Sequence, residues 1–537
     1  MAMKLLKHLF AALALTLGAQ APANAFCGFY AGKADANLFN EASQVVMVRD
    51  GKRTVISMLN DYKGPLNEFA LVVPTPTALQ KGQVRVAEKL TFERLDAYSS
   101  PRLAEYNDSD PCVVRLDWGY DNFSQDSRLV MSPPLPPAMA QRSARENARD
   151  KALGVTVEAQ YTLEEYDIVS LSARQSDGLE TWLRENGYKI PKGASAALKP
   201  YINQGMKFFV AKVNLKEQLK TGYTMLRPLQ FAFESEKFML PMRLGMLNAP
   251  PDKPQDLIIY LLTKEGRVES SNYRTVKLPA NMNLPHFVKP KFQDFYKAMF
   301  EREAVKEAHR VVFTEYFWDM AWCDPCAANP LSRAELRSAG VFWAGNDEAD
   351  RYSGGGAQPV VLTRMHVRYT ANTFPEDLMF TQTRDRENWQ TRYVIQNPYD
   401  SSVAQCSDKV GRMDCQAMCK PRVAQVLGAP AYDNQKPIYR DKDSLALQRD
   451  CVSACVSAKQ GGLSAAARYY QSELPQRIAA EKQTLAQLTG WPLSTIDAMP
   501  EARKFTASAG TAPATTKPPG SGFGWWEPLF ARSKTAP

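Results

Sequence analysis

The sequence predicts an α+β protein, with β-rich mixed or antiparallel sheets in its N-terminal and central parts and a disulfide-stapled helical hairpin towards its C-terminus. Short apolar runs rich in β-branched and aromatic residues, bounded by turn residues, recur through the first half of the chain. Long helical periodicity follows residue 409, and four of the nine cysteines form two Cys-x-x-x-Cys pairs there. The hydrophobic content of 45% is typical of a folded chain.

The strand prediction is clearest where two apolar runs, 44–49 and 54–59, flank the hairpin dipeptide Asp50-Gly51. A short amphipathic helix is predicted at 177–186 and a longer one at 293–309. The other predicted strands are 69–74, 166–171, 207–213, 229–233, 257–262 and 311–317.

A weak internal repeat accompanies these strands. Three extended runs each end eight residues before an acidic residue that opens a new apolar run, and a proline lies shortly before each acid. We expect a strand, a proline-interrupted loop and a returning strand at each place, while true duplication stays open. The run ends and their acids are Asn60 and Glu68, Asn248 and Asp256, and Tyr369 and Asp377.

Residues 1–25 have the features of a cleavable export signal. Two lysines precede the apolar run 9–15, which is too short to span a bilayer, and Ala23-Asn24-Ala25 supplies the small residues of a cleavage site. Cleavage near Ala25 would leave a periplasmic or secreted chain in an oxidising compartment, without a transmembrane segment. Lipid attachment at Cys27 and an uncleaved N-terminal anchor are the alternatives.

Composition divides the rest of the chain and limits its partners. Lysines and arginines alternate with acids despite the net charge of +9, which argues against a nucleic-acid-binding stripe, and no cofactor motif occurs. The aromatic cluster 523–530 either docks onto a partner or packs back onto the protein. The predicted regions are the signal peptide 1–25, a β-rich α+β domain 26–285, a central α+β region 286–405 with the Cys-x-x-Cys loop, a helical region 406–500 with the twin hairpin, and a flexible Ala/Thr/Pro/Gly-rich tail 501–537.

The twin cysteine pairs predict a specific disulfide pattern. Residues four apart share one face of a helix, so Cys415 lies beside Cys419, and Cys451 beside Cys455. If the two helices run antiparallel, Cys419 meets Cys451 and Cys415 meets Cys455. Each bond would contribute about 2–4 kcal/mol by restricting the unfolded chain. A four-thiolate zinc site is the alternative, but zinc usually takes closer Cys-x-x-Cys spacing, so no metal is expected.

Cys323 and Cys326 raise an enzymatic hypothesis, because residues 322–326 read Trp-Cys-Asp-Pro-Cys and resemble a thioredoxin-type active site. Such chemistry needs a thiol acidified at a helix N-terminus. Asn329-Pro330 disfavours helix, and the next capping box, 332–335, begins six residues after Cys326. This lies beyond the range of the helix dipole. A structural short-loop disulfide is therefore favoured over a catalytic pair or reduced thiols.

The remaining candidate residues are less specific. Cys27 and Cys112 are predicted to join the new N-terminus to the loop 108–111, which leaves Cys406 without a partner. The histidines of the mature chain fall in a loop, at a helix end and in a strand, so neither a hydrolase triad nor a histidine zinc site is predicted. These histidines are His286, His309 and His366.

Several segments together resemble one bacterial exported family, known as domain of unknown function 2330. They are Cys-Gly-Phe-Tyr at 27–30, Phe-Ala-Leu-Val-Val-Pro at 69–74, Trp-Leu-Arg-Glu-Asn-Gly-Tyr at 182–188 and Phe-Val-Ala-Lys-Val at 209–213. The resemblance covers roughly residues 26–400. It implies export and a continuous fold, and it supplies no catalytic residue because the family has no established activity.

These observations favour an exported, disulfide-stabilised protein that is not an enzyme and that binds or scaffolds an unidentified protein or other component of the cell envelope. The alternative is a thiol–disulfide oxidoreductase that uses Cys323 and Cys326.

Overall fold

A computed structural model describes residues 29–32, 39–63, 69–114, 153–186, 193–214, 216–217, 226–248, 254–322, 329–345, 359–428 and 444–502. These residues form four β-sheets and a C-terminal group of helices, so the α+β prediction is confirmed.

The strands are numbered in chain order. They are β1 (Phe29–Gly32), β2 (Phe39–Asp50), β3 (Arg53–Lys63), β4 (Phe69–Thr75), β5 (Val84–Val86), β6 (Arg102–Asn107), β7 (Val155–Leu163), β8 (Tyr166–Ala173), β9 (Lys207–Val213), β10 (Leu229–Glu234), β11 (Met239–Leu240), β12 (Gln255–Thr263), β13 (Val268–Ser270), β14 (Arg274–Lys277), β15 (Met282–Leu284), β16 (Val311–Asp319), β17 (Val361–Tyr369), β18 (Leu378–Gln382), β19 (Trp389–Gln390) and β20 (Arg392–Asn397).

The helices are numbered in the same way. They are α1 (Lys89–Ser99), α2 (Ser176–Glu185), α3 (Ala194–Asn203), α4 (Phe292–Lys306), α5 (Arg333–Ala339), α6 (Val403–Gly411), α7 (Cys415–Gly428), α8 (Ser444–Arg468), α9 (Leu474–Thr489) and α10 (Leu493–Asp497). Short 3₁₀ turns lie at Lys81–Gln83, Arg243–Asn248 and His286–Lys291, and a π-turn, Tyr469–Glu473, joins α8 to α9.

A nine-stranded sheet forms the centre of the molecule. Its order is β14-β16-β17-β12-β2-β3-β10-β5, with β19 paired to β16. The predicted hairpin is present, because β2 pairs with β3 in a register that places Asp50 opposite Arg53, and Gly51 adopts the positive φ that the turn requires. β12 runs parallel to β2 and antiparallel to β17, so this sheet contains strands from both sides of residue 285.

The second large sheet, of order β1-β4-β9-β8-β7, packs against one face of the nine-stranded sheet. Alternate residues of both sheets meet in a shared core, among them Ile56 and Phe231 from the larger sheet and Phe209 from the smaller one. Helices α2 and α3 cover the outer face of the smaller sheet. Helices α1, α4 and α5 cover the outer face of the larger one, which gives four layers in all.

The predicted repeat of three strand–loop–strand hairpins is wrong. β3 belongs to the nine-stranded sheet, whereas the strand that follows it, β4, pairs with β1 and β9. β17 and β18 likewise lie in different sheets, and the residues before Asn248 form a 3₁₀ turn. Each loop after β3 and β17 carries the chain from one sheet to another, where the next strand pairs.

The C-terminal hairpin has the predicted connectivity. Cys415 is bonded to Cys455 and Cys419 to Cys451, with Cα–Cα distances of 5.7 and 5.9 Å between helices α7 and α8. The four half-cystines share a small core with Val423 and Leu447, which replaces the larger apolar core that two isolated helices would need.

Beyond the hairpin, α8 continues through the π-turn into α9, which packs against α4. Pro475, which has no N–H to donate to the preceding turn, lies at the beginning of α9. The π-turn immediately before it accommodates the interrupted hydrogen-bond ladder. Ile478 and Leu485 of α9 share a core with Phe295 and Met299 of α4.

The prediction that Cys112 is bonded to Cys27 is wrong, because Cys112 is bonded to Cys406. The reason lies in the sheet pairing: β6 runs parallel to β20, so the chain after each strand reaches the same place, where the loop holding Cys112 meets α6. Cys406 is therefore paired, and both half-cystines are buried.

Other predictions fall outside the described residues. These are the export signal, Cys27, the pair Cys323 and Cys326 and the aromatic tail 523–530. Among the helices that are described, none has both the length and the apolar character needed to cross a membrane.

Candidate functional site

Two features of the described residues have the character of a functional site: a row of buried charges on the nine-stranded sheet and an apolar cleft between the two large sheets. The charged row occupies the outer face of the nine-stranded sheet, in the seam between α1 and α4. Strands β12, β16 and β17 contribute its centre, and the two helices contribute its ends. The row consists of Asp96, Asp256, Glu301, Glu315, Arg364, His366 and Arg368.

A β-bulge places Glu315 in this row. In the pairing of β16 with β17, Phe313 lies opposite His366 and Tyr316 opposite Arg364, so Glu315 is an extra residue on its strand. Bulges re-aim side chains, and here Glu315 and Tyr316 both reach the charged face. The backbone of this extra residue is hydrogen-bonded by a residue outside β17: the N–H of Thr391 donates to the Glu315 carbonyl at 2.9 Å.

Glu315 is the centre of the row. Its carboxylate accepts a hydrogen bond from Arg364 Nε at 2.5 Å, pairs with His366 Nδ1 at 2.7 Å and accepts a third bond from the Tyr296 hydroxyl of α4. The other imidazole nitrogen, Nε2, lies 3.3 Å from Asp256 Oδ1, and the ring stacks on Phe300 with centroids 3.8 Å apart. Both nitrogens of His366 thus face carboxylates.

The row continues from its centre to solvent in both directions. On one side Arg368 binds Asp256 through two hydrogen bonds of 2.8 and 2.7 Å and also contacts Glu301 of α4. On the other side Arg364 Nη1 donates to Asp96 Oδ1 of α1 at 2.6 Å. The outermost acids are about half exposed, whereas the Glu315 side chain is 1% exposed.

These partners set the ionisation of the row. Burial alone would raise the pKa of Glu315, but Arg364 and His366 outweigh it and lower that pKa to about 2. Burial alone would lower the pKa of His366, but the carboxylates of Glu315 and Asp256 outweigh it, so the pKa is raised. Glu315 is therefore ionised at neutral pH, and the same carboxylates favour the protonated form of His366.

The charged row binds the sheet to its helices and offers little to a substrate. Both nitrogens of His366 are occupied, its ring is covered by Phe300, and Glu315 is enclosed by three donors. Catalysis requires a group within hydrogen-bond reach of the substrate. We therefore assign the row to holding α1 and α4 on the sheet.

The apolar cleft lies at one end of the interface between the two large sheets and has a volume of about 260 Å³. One wall comes from the nine-stranded sheet, and the other comes from β4 of the smaller sheet, the residue that precedes β9 and the first residue of β11. The side chains that form these walls are Ile56, Val73, Met206, Phe231, Phe233 and Met239. All are buried except Met239, which is partly exposed.

The mouth of the cleft is polar. Lys237 Nζ donates to Gln204 Oε1 at 2.8 Å and so bridges the loop between β10 and β11 to the loop before β9. Glu236, beside it, is ion-paired with Lys52. Ligand sites commonly combine apolar walls with a few placed polar groups, and this cleft has that composition, although its volume is slightly below the range of about 300–1,000 Å³ that is usual for such sites.

Among the described residues, the cysteines predicted to form disulfides lie in neither feature, whereas His366, for which no site was predicted, lies in the charged row. The hairpin core contains Cys415, Cys419, Cys451 and Cys455, and the bond of Cys112 joins the loop after β6 to α6. The redox hypothesis for Cys323 and Cys326 stays a prediction, although the capping box at 332–335 is present, with Ser332 accepting from the N–H of Glu335. Nowhere in the described ranges do three His, Cys, Asp or Glu side chains group as metal ligands would.

Sequence reasoning missed the charged row, for which a signal exists. Arg364, His366 and Arg368 alternate along an otherwise apolar strand, and period-two alternation places all three on one face. Glu315 interrupts the apolar run of β16 in the same manner. Charged residues at alternate positions of a buried strand require partners, which predicts a neighbouring strand carrying acids.

The comparisons with known proteins identify the family. The model of the uncharacterised bacterial family DUF2330 matches residues 21–381, which is more than half of the chain, and the chain belongs to this family. The family resemblance drawn from the sequence is thereby confirmed. No curated protein matches the chain, and no solved structure does. The matched region contains the two large sheets except for β19 and ends before the helices α6 to α10.

Proposed function

We propose that this protein is exported to the periplasm or secreted, and that it acts there as a non-enzymatic binding or scaffolding component of the cell envelope. The observation that carries the proposal is the three disulfides in the described part of the chain, which hold six of the protein's nine cysteines. Such bonds persist in oxidising compartments and are rare in a reducing cytosol. The leader-like composition of residues 1–25 supports the same compartment.

The binding role rests on the accessible features of the molecule. The strongest electrostatic cluster is enclosed and engaged in structural contacts, whereas the cleft between the sheets opens to solvent through a polar mouth. A preformed cavity with few polar groups favours binding over chemistry.

Export is tested by expressing the full chain in a bacterium, fractionating the cells and determining the N-terminus and the thiol reactivity of the protein. We expect a chain that begins at Phe26 in the periplasmic or secreted fraction, with the six paired cysteines protected from alkylation. The matched control begins with Met followed by Phe26 and should remain cytoplasmic with reactive thiols. A full chain that keeps Met1 and its free thiols in the cytoplasm would overturn the proposal.

The non-enzymatic assignment is tested separately on the exported protein. Reduction of a model disulfide such as insulin is measured for the parent chain and for the variant Cys323→Ser. We expect no turnover by either protein. Turnover that disappears in Cys323→Ser would favour the thiol–disulfide oxidoreductase instead.

A further inference from the structure

We propose that the cleft between the two large sheets binds a small amphiphile, with its alkyl chain between the sheets and its carboxylate at Lys237. The inference rests on the proposed binding function and names the class of ligand. It follows from three properties of the cleft: its apolar walls, the uncompensated positive charge at its mouth, and the anchoring of the loop that carries this charge.

The walls of the cleft suit an alkyl chain. Phe231 and Phe233 both line the cleft and their rings are stacked, with centroids 6.2 Å apart, so the nine-stranded sheet gives the cleft an aromatic surface. Met206 and Met239 supply flexible, polarisable side chains that adapt to a mobile chain. Each methylene transferred from water to such walls should strengthen binding about fourfold until the cleft is full.

The mouth of the cleft carries an excess of positive charge. The carboxylate of Glu236 is paired with Lys52, whereas Lys237 bonds to the neutral amide of Gln204. Among the described residues no carboxylate lies within ion-pair distance of Lys237. A ligand carboxylate that replaced the Gln204 amide would form an ion pair with the Lys237 ammonium, which is stronger than the bond of that ammonium to a neutral amide.

The loop that carries Lys237 is anchored by the side chain of Arg49 in β2. Arg49 donates from Nη1 to Thr54 Oγ1 at 2.7 Å and from Nη2 to the Glu236 carbonyl at 3.3 Å. Its guanidinium also lies over the ring of Phe238, 5.4 Å from the centroid. Arg49 is buried, so it adds a second positive charge behind the mouth and fixes the position of the first.

Calorimetric titration of the exported, oxidised protein with hexanoate, octanoate, decanoate, decanol and decyl phosphate tests the proposal. The variants are Lys237→Gln, Lys237→Arg, the cleft-filling Met239→Trp and, as a control with the same change of charge, Lys297→Gln on the exposed face of α4. Thermal unfolding establishes that each variant is folded.

We expect saturable binding of decanoate that strengthens with chain length and that Lys237→Gln weakens about tenfold. Lys237→Arg and Lys297→Gln should stay within twofold of the parent, Lys237→Gln should leave decanol binding unchanged, and Met239→Trp should abolish binding of both ligands. Equal loss in Lys237→Gln and Lys297→Gln, tighter binding of decyl phosphate than of decanoate, or no binding of decanoate would overturn the proposal. Failure here with normal export and disulfide formation refutes the ligand class and leaves the compartment assignment intact.

Discussion

Replacing Glu315 by glutamine tests whether the charged row holds the sheet to its helices. The amide keeps the size of the side chain but removes the charge that faces Arg364 and His366, whose side chains are 5% and 10% exposed. The enclosed cations would then lack their shared counter-ion. Breaking a buried ion pair from one side costs about 3–5 kcal/mol, so we expect Glu315→Gln to lower the free energy of unfolding by about that amount.

The assay is urea unfolding at pH 7 of purified, oxidised protein, followed by far-UV circular dichroism. The midpoint should fall while the slope with denaturant stays the same, because the surface exposed on unfolding does not change. The matched control is Glu301→Gln at the end of the row, where the acid is 49% exposed and its loss should cost less than about 1 kcal/mol. A Glu315→Gln midpoint equal to that of Glu301→Gln would refute the reasoning.

Four further outcomes follow from particular contacts. The raised pKa of His366 contributes stability that is complete below the unfolded value of about 6.5 and is lost as pH rises through the folded value. The parent should therefore lose stability as pH rises above about 6.5, and His366→Gln should show a smaller loss in urea titrations over the same range. Burial raises the pKa of Glu481 to about 7, so the parent should also lose stability as pH rises from about 4 to 7. In the same titrations Glu481→Gln should show a smaller loss over this range and should be the more stable protein at pH 8. The double variant Cys415→Ser/Cys455→Ser should lose about 2–4 kcal/mol by chemical unfolding, and a reducing agent should bring the parent down to at least the same level. Gly340 follows α5 at φ +104°, and Val55 Cγ1 lies 2.7 Å from where a Cβ would be. Gly340→Ala should therefore lower the free energy of unfolding by about 1–3 kcal/mol. Gly411→Ala should be nearly neutral in the same experiment, because a Cβ at that position would meet open space.

Local signals in the sequence predicted local structure well. The dipeptide Asp50-Gly51 marks the β2–β3 turn, and the capping box beginning at Ser332 starts α5. The two Cys-x-x-x-Cys pairs specify their own bonding because helical periodicity fixes which cysteines share a face. In each of these cases the interacting groups are close in sequence, or a repeating pattern sets their geometry.

Long-range pairing could not be obtained from the same signals. Nothing in β12 indicates that it runs parallel to β2, and hydrophobic alternation is equally compatible with either neighbour. The partner of Cys112 depends on the pairing of β6 with β20, across a sequence separation of 294 residues between the two cysteines. The bulge at Glu315 depends on the strand opposite it, so the charged row appears only when the sheet is assembled.

The most direct test of export and of the three disulfides is disulfide mapping by mass spectrometry. The protein is purified from the periplasmic or secreted fraction after its free thiols have been alkylated. We expect peptides that join Cys415 to Cys455, Cys419 to Cys451 and Cys112 to Cys406. Alkylated thiols at these six positions, or a peptide joining Cys27 to Cys112, would contradict this expectation.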